Sequence, residues 1–395
     1  MSDPEPDSPV RLLTIAREWG RIGLIGFGGP PAHIALLRKL CVDDRAWLSA
    51  DEFEDGVAVT NLLPGPASTQ LAIFCAWRLR RRAGAVIGGV CFIVPGLVII
   101  LGLAKLFLAS NSPRWVLGAA AGLGAVVPAV AVNAAVGLIP GSWKRTAGRR
   151  PKQIRWALYL AAGAVAAAGA GAFVVVALLA CGLIETSLRP RTATSPKGFA
   201  ALPLSVVPTV ASAVPTVAGL GALTWVAFKV GGLSYGGGFV IIPMMQHDAT
   251  SVYHWLSPAQ FLNAVALGQV TPGPVVLTVA VIGYAAAGVG GGLLAATVAF
   301  APSFLFIAFG GSYFERLRAN SAIQSFLTGA GSAAIGAIAG ASITLLRGLD
   351  VWWQFTLLGA AALWLLVLRR NVVPALLTAG LIGAIAVVAG APIPH

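Results

Sequence analysis

The stretch Phe27-Gly28-Gly29-Pro30-Pro31, followed by Trp47-Leu48-Ser49, Phe53 and Pro64-Gly65-Pro66, decides how this chain folds, because the same pattern returns later in it. At a constant offset of 208 residues, Tyr235-Gly236-Gly237-Gly238 lies over Phe27 to Pro30 and Trp255-Leu256-Ser257 over Trp47 to Ser49. Phe261 lies over Phe53 in the same register, and Pro272-Gly273-Pro274 over Pro64 to Pro66. Arg21-Ile22-Gly23 meets Lys229-Val230-Gly231, and with one residue removed Pro95 falls on Pro302. A gapless register of this length marks an internal repeat. Residues 1–187 are read as the first repeat, 188–215, rich in Pro, Ser and Thr, as a linker, and 216–395 as the second repeat.

Around these motifs the chain is apolar: 57% of its 395 residues are hydrophobic, 10% are charged, and the mean hydropathy is +0.84. Such a composition belongs to a lipid bilayer, and the fold class expected is an all-α integral membrane protein with about five to six segments per repeat. The short acidic N-terminus lacks the basic region of a cleaved signal peptide, so the first helix is expected to stay. The net charge of +13 comes from short basic clusters between apolar runs, among them Arg78 to Arg82, Lys144 to Arg155, Arg316 and Arg318, and Arg369 and Arg370. That distribution follows the positive-inside rule and argues against nucleic-acid binding, which needs one coherent basic face. Cys41, Cys75, Cys91 and Cys181 show neither metal-ligand nor redox spacing, so neither a metal nor a cofactor is expected.

The first two segments of each repeat are predicted to be broken or re-entrant. Glycine frees the backbone and proline removes a donor, so Gly28 to Pro31 and Pro64 to Pro66 each split an apolar segment into short pieces ending near mid-membrane. Longer spans follow at about 83–108 and 115–139; the run 154–185 reads either as one tilted span or as a hairpin of two short helices. Inverting the second repeat would collect all the basic loops on one side, which requires an odd number of crossings before it; the 154–185 run could supply the odd one.

Broken helices at matching positions of two repeats point to a site at the repeat interface. Non-helical backbone survives at membrane depth only where it is buried in protein or lines a wet cavity. Pro30 or Pro31, and Pro66, suit the start of the following helix, whose free N–H groups and positive dipole end attract anions. Arg21 and Lys229, each seven residues before the glycine pair, are candidates to balance the anion's charge, or snorkel to the interface. Asn61 and Gln269, each three residues before a Pro-Gly-Pro, suit hydrogen bonds to an oxyanion or to carbonyls freed by the break. His33 reads either as an anion contact or as a packed histidine. Glu52 and Asp55, opposite Gln260 and Asn263, suit either proton coupling by one repeat or ordinary N-terminal capping. No Walker motif is present, and no nucleophile stands beside a base, so a transporter driven by protons or potential is expected rather than an ATPase or another enzyme.

Phe27-Gly28-Gly29-Pro30 after a basic residue, Trp47-Leu48-Ser49 before a Phe, Pro64-Gly65-Pro66 and their later copies resemble the chromate ion transporter family, in its long two-domain form. The resemblance covers nearly the whole chain. It implies export of chromate from the bacterial cytoplasm across the inner membrane, sulfate as the related tetrahedral dianion, and halves of opposed topology. A channel or transporter for a different small anion is the alternative, and a homodimer is compatible with either. Gly238 stands where the first repeat has Pro30, a departure from the family motif, so equal anion binding at the two helix starts does not follow from the resemblance.

Overall fold

In a computed structural model the described residues are 10–61, 63, 65–109, 112–146, 148–169, 173–188, 219–234, 239–310 and 320–394; among them there are helices and no strands. Pro64, the Tyr235 to Gly238 motif, Arg316, Arg318 and all of the linker except Leu188 lie outside the described residues.

The first repeat begins with α1 (Leu12–Ile25) and α2 (Pro30–Arg38), the latter running into a π-helical turn at Lys39–Asp44. These two do not form one interrupted span. The chain reverses at Gly26 to Gly29, so that Arg45 reaches Glu18 at 3.4 Å and Trp47 stacks on Trp19 with ring centroids 6.4 Å apart. The next pair is also a helical hairpin. It consists of α3 (Ala50–Thr60) and the first part of α4 (Ala67–Phe107), joined at Asn61 to Pro66. Glu52 pairs with Arg78, and Gly56 leaves room for Phe74 and Leu71. A helix of 41 residues would overrun the bilayer, and α4 is in fact two helices folded at Arg80 (φ −141°) and Arg81 (φ 49°). Arg81 lies 5.0 Å over the Trp77 ring and Arg80 donates to the Val10 carbonyl at 3.2 Å, anchoring a turn with a strained non-glycine residue.

Beyond that turn the second part of α4 and α5 (Arg114–Lys144) are long enough to cross. The ambiguous 154–185 run is a hairpin of α6 (Arg150–Ala168) and α7 (Phe173–Ser187). Glu185 closes it by accepting from Arg155 at 2.8 and 3.1 Å and from Tyr159 at 3.1 Å.

The second repeat reproduces this plan as α8 (Leu220–Leu233), α9 (Ile242–Gln246), α10 (Pro258–Val270), α11 (Thr278–Gly310), α12 (Ser321–Leu346), α13 (Trp352–Ala362) and α14 (Val372–Val388). The correspondence extends to local geometry. A π-helical turn at His247–Val252 matches Lys39–Asp44, and left-handed His254 matches Ala46. The fold in α11 at Ala287 and Gly288 (φ 64°) matches that at Arg80 and Arg81, with glycine now relieving the strain.

The repeats are interlocked. Helix α5 packs against α13 and α14, and its counterpart α12 packs against α6 and α7. Both contacts are made by small residues: Gly118 and Gly122 meet the backbone of Gly383 and Ala379, while Gly336 and Gly340 meet that of Leu160 and Ala164. With no hydrophobic drive between helices in lipid, such close approach supplies the dispersion that holds them together. A methyl at Gly336 would strike the Leu160 carbonyl, whereas Gly137 of α5 has open space. Gly336→Ala is therefore expected to destabilise the protein by about 1–3 kcal/mol and Gly137→Ala to leave it unchanged, as read by thermal unfolding in detergent.

Candidate functional site

The breaks converge where the repeats meet. After α1, Gly28 (φ 101°) and Gly29 (φ 74°) take left-handed conformations that place Pro30 at the first position of α2. The Gly26 carbonyl, left without a helical partner, accepts from His33 Nε2 at 2.9 Å and from the Gly273 N–H at 3.1 Å. At the first Pro-Gly-Pro, Gly65 (φ 125°) donates its N–H to the Ser234 carbonyl at 2.7 Å. Residues 26 and 234, like 65 and 273, are repeat equivalents, so the two bonds form a reciprocal pair: each Pro-Gly-Pro glycine caps the first segment of the other repeat. Reciprocity of this kind is the signature of twofold symmetry.

His33 ties the arrangement together. Fully buried and edge-on to Phe92, its ring bonds Gly26 through Nε2 and Ser68 Oγ through Nδ1 at 3.1 Å. If Nε2 donates to the carbonyl, Nδ1 accepts from the serine hydroxyl, which is the neutral imidazole. It thereby links the helix after the first Pro-Gly-Pro to the glycine of the second. A Cβ at Gly26 would collide with this ring.

Buried polar atoms without a hydrogen-bond partner occur beside both Pro-Gly-Pro turns: Thr69 Oγ1, Ser234 Oγ and Ser303 Oγ in residues around Gly65, and Gln269 Nε2 and Thr271 Oγ1 just before Pro272. Thr69, Ser234 and Ser303 are completely inaccessible. Orphaned groups of this kind cost about 1–3 kcal/mol each and call for an explanation. Gly65 lies against the Gln70 amide and the Ser303 hydroxyl, with no room for a Cβ between them. The first intrahelical bond of α4 runs from the Gln70 N–H to the Pro66 carbonyl at 3.0 Å. The amides of Ala67, Ser68 and Thr69 precede it and have no helical acceptor. The donors around Gly65 are thus buried, and no charged side chain is among them.

The repeat-related position is less polar. Val276 and Leu277 stand where the first repeat has Ser68 and Thr69, and Gly96 stands where the second has Ser303. Thr278, opposite Gln70, spends its hydroxyl on the Val275 carbonyl at 2.8 Å.

Of the residues singled out from sequence, Gly65, Pro66, His33, Gln269, Pro272, Gly273 and Pro274 lie at or beside the junction, with Gly28, Gly29 and Pro30 forming its first turn. Phe27 and Asn61 are exposed. Arg21, read either as a charge-balancing cation or as snorkelling, has a side chain 70% exposed, in keeping with the second reading, and reaches Glu18 at 3.9 Å. Lys229 is more buried and is bound to Asp248 at 2.6 Å. Glu52 closes a capping box with Ser49, accepting its N–H at 3.1 Å, and Gln260 does the same for Ser257 at 2.9 Å. The acid-to-amide exchange thus preserves the cap. Asp55 is exposed, and Asn263 faces Gly124 of α5. Ser68, Thr69, Gln70, Ser234, Thr271 and Ser303 were not anticipated. The polar triplet after Pro66 was visible as a departure from Val276-Leu277, but Ser234, just past the end of α8, and Ser303, within α11, are isolated small residues beside apolar runs and carry no sequence signal. Among the described residues no His, Cys, Asp and Glu cluster suits a metal ion.

Comparison with known proteins agrees with this architecture. A family model described as chromate transporter matches residues 13–186 and 221–385. The chain belongs to the chromate transporter family. It is 32% identical over 93% of its length to a chromate transport protein of Cupriavidus metallidurans, covering 91% of that protein. It is 29% identical to a chromate transport protein of Pseudomonas aeruginosa, over 95% of this chain and 92% of the other. An uncharacterized transporter of Bacillus subtilis is 36% identical over 31% of the chain, covering 60% of that protein. No solved structure matches.

Family membership makes this a transporter, with a helical, multi-pass membrane architecture. His33→Phe retains the packing on Phe92 but removes both ring hydrogen bonds. It is expected to cost about 1–3 kcal/mol and lower the melting temperature in detergent, more than Ser68→Ala, which removes only one of them.

Proposed function

We propose that the chain is a secondary transporter that exports chromate across the bacterial cytoplasmic membrane, with sulfate or another oxyanion as a co- or countersubstrate, through two inverted repeats. The observation that carries this reading is the group of unpaired buried donors around Gly65. Thr69, Ser234 and Ser303 hydroxyls together with the first-turn amides of α4 suit a tetrahedral oxyanion stripped of water. A net hydrogen bond to a charged group is worth about 1.5–3 kcal/mol, against about 0.3–1 kcal/mol for a helix dipole, so the hydroxyls would contribute most. Neutral donors also release the ion more readily than a buried arginine would. Membrane potential would help expel a dianion, at about 2.3 kcal/mol per charge per 100 mV.

Inversion is supported by the directions of equivalent helices. Helix α12 starts beside the end of α7, where Thr186 meets the Ala322 carbonyl, and ends beside the end of α6, where Arg347 meets the Ala168 carbonyl. Its counterpart α5 runs the other way, ending near the start of α6. In this reading Arg80 to Arg82, Arg145 to Arg155, Arg369 and Arg370 share one face, the cytoplasmic one, while Lys105, Arg114 and Arg347 occupy the other. Because α6 and α7 form a hairpin and add an even number of crossings, Leu188 and Gly219 belong on opposite faces.

Purified protein in liposomes, with chromate, sulfate and pH varied independently, is expected to show saturable chromate flux that opposing oxyanion accelerates. Conductance without countertransport would replace the transporter reading by a channel. Ser303→Ala should raise the half-saturation concentration by about tenfold or more, with Thr297→Ala on the exposed face of α11 unchanged. For topology, single cysteines at Arg149 and Asp350 in a cysteine-free background should react with an impermeant maleimide from opposite sides of the membrane; labelling from one side would exclude inversion.

A further inference from the structure

We propose that a cavity of about 280 Å³ on the face carrying the basic loops is a second oxyanion site, which holds a free tetrahedral dianion before it reaches the junction. It lies between the end of α5, the start of α6 and the start of α12, and Arg145, Thr146, Lys152, Trp156, Ser325 and Thr328 line it. Glu185 also borders the cavity, but Arg155 grips both its oxygens, at 2.8 and 3.1 Å, and Tyr159 donates to one of them. That carboxylate is neutralised within its own pair. Arg145 and Lys152 form no ion pair among the described residues, so the cavity carries two uncompensated positive charges, the complement of a dianion. Thr146 supplies an independent pointer: it lines the cavity, its residue is 3% exposed, and its buried hydroxyl has no hydrogen-bond partner.

Arg145 also lines a smaller cavity of about 50 Å³, with Ser142, Leu138, Val240, Ile335 and Ile338. Val240 is six residues beyond Ser234, whose carbonyl caps Gly65. The opposite end of the molecule offers the control. There a cavity of about 350 Å³, lined largely by α10, includes Leu117 and Ala121, the repeat equivalents of Gln324 and Thr328, and no charged residue lines it. A cationic cavity is therefore not a by-product of the architecture. It is an addition to one face only.

Binding here stands on these residues alone; its place ahead of the junction rests on the function and topology proposed above. The test uses full-length Arg145→Gln/Lys152→Gln in phosphatidylcholine liposomes. Chromate presented on the basic-loop side should require about tenfold more for half-saturation, with the maximal rate retained and the opposite side unaffected. Equilibrium dialysis of chromate should fall from two ions per chain to one, and Lys152→Arg should keep both. Unchanged stoichiometry, or an equal shift from both sides, would overturn the proposal. So would a shift seen only when phosphatidylglycerol is present, since a lipid phosphate would then be the occupant. Loss of one ion in the double variant alongside unaltered flux in Ser303→Ala would uphold this site and remove the junction instead.

Discussion

Two backbone hydrogen bonds, from Gly65 to the Ser234 carbonyl and from Gly273 to the Gly26 carbonyl, are the constraint on which the rest of the molecule depends. In hydrocarbon an unpaired amide or carbonyl costs several kcal/mol, so a helix may stop at mid-membrane only if something else satisfies its ends. Neither repeat can do this for itself, because its Pro-Gly-Pro and its Gly-rich turn leave donors and acceptors facing outward. The other repeat supplies the partner. The same mutual dependence appears in the outer helices, where α5 is held by α13 and α14 and α12 by α6 and α7.

On this shared scaffold the chemistry is unequal. The capping boxes at Ser49 and Ser257, the π-helical turns and the folded long helices are common to both repeats and serve geometry. The ion pair of Glu52 with Arg78 has Gln260 and Ala286 in its place in the second repeat; both charges go together, as a structural pair would, and the cap persists. Ser68, Thr69 and Gln70, with Ser234 and Ser303 brought in from the other repeat, concentrate polar groups at one of two equivalent junctions. The basic cavity at Arg145 and Lys152 adds a second inequality, at one face.

Much of this was legible in the residues. Hydropathy placed the chain in a bilayer, and the 208-residue register located the breaks that the described residues show, at Gly28-Gly29 and at the two Pro-Gly-Pro turns. Glycine and proline at those breaks carry their own conformational argument, confirmed by the positive φ angles at Gly28, Gly29, Gly65 and Gly273. Charge arguments transferred less well. Arg21 is exposed rather than buried, because position along an apolar segment says nothing about which way a long side chain points. His33, for which sequence left two roles open, is bonded at both ring nitrogens.

The sequence by itself determined the solvent, the repeat and the sites of helix interruption, since these follow from local hydrophobicity and backbone sterics that each residue carries with it. Only the tertiary structure decided that the interruptions at Gly26 to Gly29 and before Pro66 turn the chain into helical hairpins, that Gly65 and Gly273 are each bonded by the opposite repeat, and that Ser234 and Ser303 meet Gly65. Those outcomes depend on which carbonyl an amide can reach and which hydroxyls are left unpaired, and such relations hold between residues about 170 to 250 positions apart.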